Sequence, residues 1–220
     1  MKDQLSKRIN SLPVSATLAM AAKARELKEQ GKNIISLSLG EPDFNTPDFI
    51  KEAAIQAIHD NYSSYSPVDG YLDLKQAICR KFKRDNDLNY KPSQVVVSTG
   101  AKQSIANIAM VLLNPGDEVL LPAPYWVSYS AIATLGEASY KEIPSTIETD
   151  FKITPKQLEG AITPKTKLIF FNSPNNPSGT VYTEAEYRAL AAVIEKHPNI
   201  YVISDEIYEH INYGEPIFSF

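Results

Sequence analysis

Short apolar segments alternate with helix-like segments from residue 95 onward, and this alternation constrains the fold more than any other feature. Each apolar segment is short enough for one buried strand, and they lie at residues 95–97, 119–121, 168–171 and 201–203. Strands that alternate with helices predict a mostly parallel sheet that helices cover on both faces. We therefore expect an α/β protein built as a three-layer sandwich.

Between the predicted strands, the sequence indicates helices. One helix begins after residues 98–101 and ends at the turn of residues 114–117. Another opens near Tyr125 and Trp126. A further helix opens at Thr183, because a threonine followed three residues later by a glutamate is the pattern of a capping box.

Helix signals also dominate the chain before residue 95. Residues 16–30 carry an apolar stripe and end at Gly31, which predicts a helix and its stop. Thr46 is predicted to cap the next helix, with Pro47 at its first position. The buried face of that helix would hold Ile50, Ala53, Ala54, Ala57 and Ile58. A further helix follows Gly70, and its core face would hold Leu74, Ala77, Ile78 and Phe82.

Composition excludes several functional classes. With 220 residues, 43% of them hydrophobic and 22% charged, the chain has the composition of a soluble globular protein with a sizeable core. A net charge of −4 gives no reason to expect nucleic acid or a membrane as partner. The single Cys79 fits a reducing compartment, and residues 1–13 do not resemble a signal peptide, so we expect a cytoplasmic protein. Three scattered histidines and one cysteine argue against a metal site.

The loops after the predicted strands carry residue types that suit one kind of ligand. Carboxyl ends of parallel strands share one edge of the sheet, where open α/β proteins bind ligands. On that edge, the helix start at Gly100 and Ala101 would favour a phosphate. Trp126 offers a flat apolar face, Asn176 an amide and Asp205 a negative charge. Together they suit a flat, phosphorylated heteroaromatic ring with a basic nitrogen, although each residue alone is also common in a plain turn, core or cap.

Several ordered motifs then resemble one known family. They lie at residues 15–17, 40–44, 65–67, 100–103, 124–126, 172–179 and 204–208, and they span nearly all of the chain. In these motifs the chain resembles the class I aminotransferases, pyridoxal-phosphate enzymes of the aspartate aminotransferase fold, and especially the bacterial aspartate aminotransferases. The resemblance implies amino-group transfer between an amino acid, aspartate or glutamate, and a 2-oxo acid.

The resemblance also implies roles around the cofactor ring. Asp205 would pair with the protonated pyridine nitrogen and keep the ring an electron sink. Tyr208 and Asn176 would hydrogen-bond the phenolic oxygen of the ring, and Trp126 would stack on it. Asp205, Tyr208 and Trp126 are thus the expected catalytic residues.

Phosphate and substrate contacts are implied in the same way. The backbone amides of Gly100, Ala101 and Lys102 would hold the phosphate. Tyr65 would reach the phosphate of a neighbouring subunit, which implies a homodimer. Gly40, Trp126 and Asn176 would help to hold the substrate. Lys102 at its position hints at a dicarboxylic substrate, but a solvated lysine in the first turn of a helix explains it equally well.

One departure from the family pattern concerns the Schiff-base lysine. In the family it lies on a Ser-Lys motif beyond the segment that matches residues 205–208, and the chain has no such motif before Phe220. We therefore expect an N-terminal portion that is inactive alone, with unpaired edges inside its sheet. Residues 1–45 would form an N-terminal arm and part of a small domain. Residues 46–220 would form a cofactor-binding large domain that stops before the catalytic lysine.

Other functions stay open at this point. An aromatic or alanine aminotransferase, or a related C–S lyase, would share the cofactor residues. Some transcription regulators carry the same fold as a non-catalytic sensor joined to an N-terminal DNA-binding domain, for which the residues before Ser15 leave no room. A nucleotide-binding module is disfavoured because no Gly-x-Gly-x-x-Gly or Gly-Lys-Thr loop follows a strand.

Overall fold

A computed structural model describes residues 4–12, 16–36, 40, 42–214 and 216–220. Ser15 and Glu41, which belong to the sequence motifs, lie outside these residues. The chain divides into two compact units, one of Pro13–Val68 and one of Met1–Leu12 with Asp69–Phe220. The predicted domain division after residue 45 stays a prediction.

Helices and strands alternate in the larger unit. In the described residues the helices are α1 (Lys7–Ser11), α2 (Ala16–Glu29), α3 (Asp48–His59), α4 (Leu72–Asn86), α5 (Ala101–Leu112), α6 (Ser128–Leu135), α7 (Pro155–Ala161) and α8 (Glu184–Ile194). The strands are β1 (Glu118–Ala123), β2 (Ser139–Pro144), β3 (Thr166–Asn172) and β4 (Tyr201–Asp205). Short 3-10 helices occupy Pro92–Gln94 and Ile147–Thr149. In the part of the chain with described structure, no helix has the length and apolar character to cross a membrane.

The sheet is parallel throughout, in the order β2-β1-β3-β4. This confirms the predicted parallel α/β sheet. The prediction of a strand at residues 95–97 is wrong, because the segment is extended but forms no ladder with the described strands. The amide of Val97 instead donates to the carbonyl of Asp69, at 3.1 Å. Strand β2 and helix α7 are additions that the apolar pattern did not predict.

Two hydrophobic clusters cover the two faces of the sheet. Side chains alternate between faces along a strand, so Leu120 of β1 points to one cluster and its neighbours Val119 and Leu121 point to the other. Helices α7 and α8 contribute Leu158 and Leu190 to the first cluster, and α5 and α6 contribute residues to the second. The three-layer prediction is therefore confirmed.

Helix α3, in the smaller unit, corrects two predictions. Pro47 is its N-cap, with an extended ψ of 143°, so the helix begins at Asp48 and Thr46 is not the cap. None of its described residues is buried, and Ile50 and Ile58 are 46% and 75% exposed. Burial of an apolar stripe requires a neighbouring element that covers it, and no described element of the smaller unit buries this one.

Helix α4 follows Gly70 as predicted, but its burial differs from the prediction. Leu74 is 44% exposed, whereas Ala77, Ile78 and Phe82 are partly buried. Its buried residue is Lys75, whose ammonium group bonds the carboxylate of Asp69. A long side chain can bury its methylene groups while its charge keeps a partner, and hydrophobic periodicity carries no signal for such an ion pair.

Candidate functional site

The ends of β1, β3 and β4 lead into one pocket of about 140 Å³. It is lined by residues from four separate segments, among them Ala101, Trp126, Tyr129, Asn176, Asp205 and Tyr208. The strand ends meet because parallel strands place all of their carboxyl ends on one edge. The structure therefore brings together most of the residues that the sequence predicted for a ligand site.

The pairing register of β3 and β4 sets the floor of this pocket. Asn172 and Asp205, the last residues of the two strands, are register partners. The Asn172 side-chain amide donates to the backbone carbonyl of Asp205 at 2.9 Å, and its oxygen accepts from the backbone amide of Asn176 at 2.8 Å. Asn172 thus ties the end of β4 to the loop of residues 172–179. The sequence indicated this loop, but not the role of Asn172 in it.

Tyr129 contacts the Asp205 carboxylate, and sequence reasoning missed it. Its hydroxyl donates to Oδ2 of Asp205 at 2.6 Å, while the backbone amide of Ile207 donates to Oδ1 at 3.2 Å. Tyr129 is buried, and its ring stacks on Phe170 with centroids 4.6 Å apart. Burial, and then the Asp205 charge, raise the pKa of Tyr129, so the phenol remains a hydrogen-bond donor. The available signal was its position three residues after Trp126, in the same turn.

Asn176 and Tyr208 form a pair of polar groups on another side of the pocket. The Asn176 side-chain amide donates to the Tyr208 hydroxyl oxygen at 3.2 Å. An amide carries a second N–H and a phenol carries its own O–H, so both groups keep a proton to donate. Asn175, in the same loop, accepts from the backbone amide and hydroxyl of Ser178, which restricts the loop. The pair can therefore donate two hydrogen bonds to one anionic oxygen.

Trp126 packs against residues that fix its ring. Its indole meets Tyr129 edge-on, with centroids 5.5 Å apart and an interplanar angle of 88°. The ammonium nitrogen of Lys102 lies 4.8 Å from the centroid of the Trp126 ring, within the range of a cation–π contact. Lys102 thus brings a positive charge to the edge of the pocket.

The start of α5 offers backbone donors. Gly100 is its N-cap, with a φ of +88° that favours glycine, and no atom lies within 4 Å of where a Cβ would stand. The amide of Gly100 itself donates to the carbonyl of Ser98 at 2.9 Å. The amides of Ala101 and Lys102 are in the first turn, where a helix has no internal acceptor for them. A helix start of this kind binds anions.

Two predicted site residues belong to the smaller unit. Gly40 and Tyr65 are not among the residues that line this pocket. The Tyr65 side chain is fully exposed. Their roles, one at the substrate and one at a neighbouring subunit, stay predictions.

Comparison with known proteins gives the site a family. The sequence model described as "Aminotransferase class I and II" matches residues 32–220. The chain belongs to the class I and II aminotransferases. It is 51% identical over 208 residues to the aspartate/prephenate aminotransferase of Nitrosomonas europaea, covering 94% of this chain and 52% of that protein. This aminotransferase chain thus spans about half the length of the curated relatives it matches.

Solved structures of aminotransferases match the fold of this chain over nearly its whole length. The aspartate aminotransferase of Rhizobium meliloti superposes with a TM-score of 0.94 at 44% identity, covering 98% of this chain and 54% of that one. The aspartate aminotransferase of Thermus thermophilus, solved with maleate, superposes with a TM-score of 0.93 at 41% identity, covering 98% and 56%. The predicted family and fold are confirmed.

Class I aminotransferases of the aspartate aminotransferase type use pyridoxal phosphate. The chemistry of the pocket fits this cofactor. It presents a carboxylate for a basic ring nitrogen, an amide–phenol pair for an anionic ring oxygen, an indole for a flat ring and a helix start for a phosphate. Each of these groups is a side chain or backbone segment of the larger unit.

Proposed function

We propose that the protein to which this chain belongs transfers an amino group between aspartate or glutamate and a 2-oxo acid, with pyridoxal phosphate as cofactor. The observation that carries the proposal is the convergence of Asp205, Asn176, Tyr208 and Trp126 on one pocket at the carboxyl edge of a parallel sheet. These residues come from three segments that are far apart in sequence, so their convergence is not a property of one local motif.

Each residue of the pocket has a physical task in this proposal. When bound, pyridoxal phosphate supplies a protonated conjugated ring that takes up the electron pair left on the substrate α-carbon. Asp205 would hold the proton on the ring nitrogen through its negative charge, and Tyr129 holds the carboxylate of Asp205 in place. Asn176 and Tyr208, which are hydrogen-bonded to each other, would donate to the phenolic oxygen. Trp126 would pack on the flat face of the ring and exclude water from it.

Anionic groups would be held at the other end of the pocket. The first-turn amides of α5 at Ala101 and Lys102 would bind the cofactor phosphate. Gly40, Trp126 and Asn176 would contact the substrate. A preformed set of donors stabilises charge better than water does, because the donors need no reorganisation during the reaction.

Replacement of Asp205 tests the proposed function. In the full-length protein, both Asp205→Ala and the near-isosteric Asp205→Asn are expected to lower kcat for amino transfer by about 100-fold or more. Asparagine keeps the shape but not the charge, so the two variants should lose similar amounts. Steady-state kinetics with aspartate and 2-oxoglutarate measure this loss, and circular dichroism checks the fold. Full turnover in either variant would remove Asp205 from the mechanism.

Substrate choice is proposed to depend on Lys102. Its ammonium group lies at the edge of the pocket, where it would meet a side-chain carboxylate of the substrate. The Thermus thermophilus relative was solved with maleate, a dicarboxylate, and the Nitrosomonas europaea relative is named for aspartate and prephenate. These names support a dicarboxylic substrate over an aromatic or aliphatic one.

Lys102→Ala is expected to weaken catalysis with aspartate and glutamate by about 1.5–3 kcal/mol, or about 10- to 150-fold in kcat/KM. Alanine as amino donor lacks the second carboxylate and should lose little. Lys102→Arg, which keeps the charge, is the matched control and should retain most of the preference. An equal loss for all donors would instead assign Lys102 to phosphate binding or to the packing of Trp126.

Assembly and location complete the proposal. A homodimer with shared active sites is supported by the full exposure of Tyr65, which leaves its side chain accessible to a second subunit. A cytoplasmic location is supported by the single cysteine, Cys79, which is a free thiol in the structure.

A further inference from the structure

The turn that follows β4 presents its residues to two different surroundings. Asp205 and Tyr208 line the pocket, whereas Glu206 and Glu209 bond to groups outside it. The turn is tight, because the amide of Glu209 donates to the carbonyl of Glu206 at 3.0 Å. Glu206 and Glu209 are thus held next to Asp205 and Tyr208, on which the proposed chemistry depends.

Glu209 is fixed by helix α4. Its carboxylate forms an ion pair with Lys81 and accepts a hydrogen bond from the Asn86 side-chain amide at 3.3 Å. The Glu209 side chain is 18% exposed and the Lys81 side chain 23% exposed. Partial burial reduces solvent screening, so this pair is stronger than the exposed ion pairs on the same helix.

Glu206 extends the same set of contacts. Its carboxylate accepts from the hydroxyl of Ser204 at 2.7 Å and from the hydroxyl of Ser219 at 2.8 Å. Ser219 in turn accepts from the Asn86 amide at 3.1 Å, and the Asn86 carbonyl oxygen accepts from Lys81 at 2.9 Å. Lys81, Asn86, Glu206, Glu209 and Ser219 therefore form one connected network, which we name the α4 anchor.

We propose that Glu209, through the α4 anchor, is a positioning residue that holds Asp205 and Tyr208 in their orientation toward the pocket. Outside the pocket, the carboxylates of this turn contact helix α4 and Ser219, so a shift of these contacts would shift the turn itself. This inference rests on the proposed function, because it assigns Glu209 to the same cofactor site.

Cofactor affinity in Glu209→Gln tests the inference. In the full-length protein, this variant is expected to bind pyridoxal phosphate about 10-fold more weakly, the low end of the loss seen when a residue that orients a metal ligand is removed. Equilibrium titration followed by cofactor absorbance measures the dissociation constant. Asp87→Asn is the matched control, because it removes the partner of Lys83 on α4 without touching the turn.

Coupling to Tyr208 separates positioning from a general effect on folding. If Glu209 acts through the turn, the double variant Glu209→Gln/Tyr208→Phe should bind the cofactor less than 3-fold more weakly than Tyr208→Phe alone, since contacts within one network are not additive. A purely structural role would give additive losses. It would also lower the thermal midpoint of the cofactor-free protein as the main effect.

Three outcomes would overturn the inference. These are unchanged affinity in Glu209→Gln, additive losses with Tyr208→Phe, or an equal loss in Asp87→Asn. If Glu209→Gln does not fold, Lys81→Met breaks the same ion pair from the helix side and must reproduce the loss of affinity. Failure of the unmodified protein to bind pyridoxal phosphate would instead overturn the proposed function, so the two failures are distinguishable.

Discussion

The carboxylate of Asp205 accepts hydrogen bonds on both of its oxygens. Tyr129 donates to one oxygen from the core, and the Ile207 amide donates to the other from the following turn. Two fixed donors restrict rotation of the carboxylate, so its charge points in one direction before any ligand arrives. These two hydrogen bonds therefore preorganise a negative charge at the edge of the sheet.

Tyr129→Phe should lower the free energy of unfolding by about 1.5 kcal/mol, which is near the lower end for a hydrogen bond to a charged group because Asp205 is only partly buried. Phenylalanine keeps the stacking on Phe170, so the loss isolates the hydroxyl. Tyr182→Phe is the comparison, because the Tyr182 hydroxyl accepts its hydrogen bond, at 2.9 Å, from an uncharged group, the backbone amide of Ile153. Urea unfolding should give the larger loss for Tyr129→Phe. A larger loss for Tyr182→Phe would contradict the role of the Asp205 charge.

The residues of the pocket differ in how far the sequence predicts them. Trp126, Asn176, Asp205 and Tyr208 stand in loops directly after predicted strands, and parallel topology alone brings such loops to one edge. Tyr129 could not be predicted in this way, because its partner is 76 residues away and the contact depends on how α6 lies on the sheet. Its position three residues after Trp126 places Tyr129 near the pocket, but the contact with Asp205 itself arises from packing.

At the scale of elements, cap chemistry decides where helices begin. Thr183 accepts from the amide of Glu186 at 3.3 Å, and the Glu186 carboxylate accepts from the amide of Thr183 at 2.7 Å, which confirms the predicted capping box of α8. Thr46 has the same residue type in a similar sequence position, but Pro47 takes the cap of α3. Thr183 is followed three residues later by a glutamate, whereas Thr46 is followed by Phe49, so the reciprocal pair that supports the first cap is missing from the second.

Thr183→Ala should cost about 1 kcal/mol of stability, because the first turn of α8 loses an acceptor. Thr46→Ala replaces an exposed threonine that caps nothing and should stay within about 0.5 kcal/mol of the parent protein. Chemical denaturation of the two variants side by side measures the difference. Equal losses would mean that the threonine methyl and hydroxyl matter for some reason other than capping.

Strand β2 was missed, and residues 95–97 were wrongly predicted as a strand, for physical reasons. In β2 only Ile143 is buried, because the strand lies at the end of the described sheet and carries polar residues on much of its surface. Residues 95–97 have strong β propensity but no ladder partner in the described chain, so they remain merely extended. The β propensity is a property of one segment, whereas a strand forms only when a second segment pairs with it.

At the scale of the whole larger unit, tyrosines are buried on both faces of the sheet. Tyr129 lies in one cluster, and Tyr182 and Tyr187 lie in the other. Burial raises the pKa of Tyr182 to about 12 from an ordinary value of 10.0. The folded protein therefore favours the protonated phenol, and the unfolded chain releases its proton more easily. This stabilisation is complete below pH 10 and is lost as the pH rises from 10 through 12.

The free energy of unfolding should consequently fall between pH 10 and pH 12, and the share due to Tyr182 should reach about 2 kcal/mol at the upper end. The Tyr182→Phe variant has no ionisable group at this position. Its free energy of unfolding should therefore fall less between pH 10 and pH 12, by about 2 kcal/mol. Urea unfolding at pH 8, 10 and 12 compares the two proteins. Parallel curves would show that other groups, such as the lysines, cause the alkaline loss.

Because Asn172 pairs with Asp205, the chemistry of the pocket depends on the number of residues in β4 as well as on their types. Adding or deleting one residue within β4 would turn Asp205 toward the opposite layer of the protein, because successive side chains of a strand point to opposite faces. Exchange of the exposed Tyr201 leaves this count unchanged. During evolution of this fold, β4 can therefore accept surface substitutions, while insertions and deletions are confined to the loops before Tyr201 and after Tyr208.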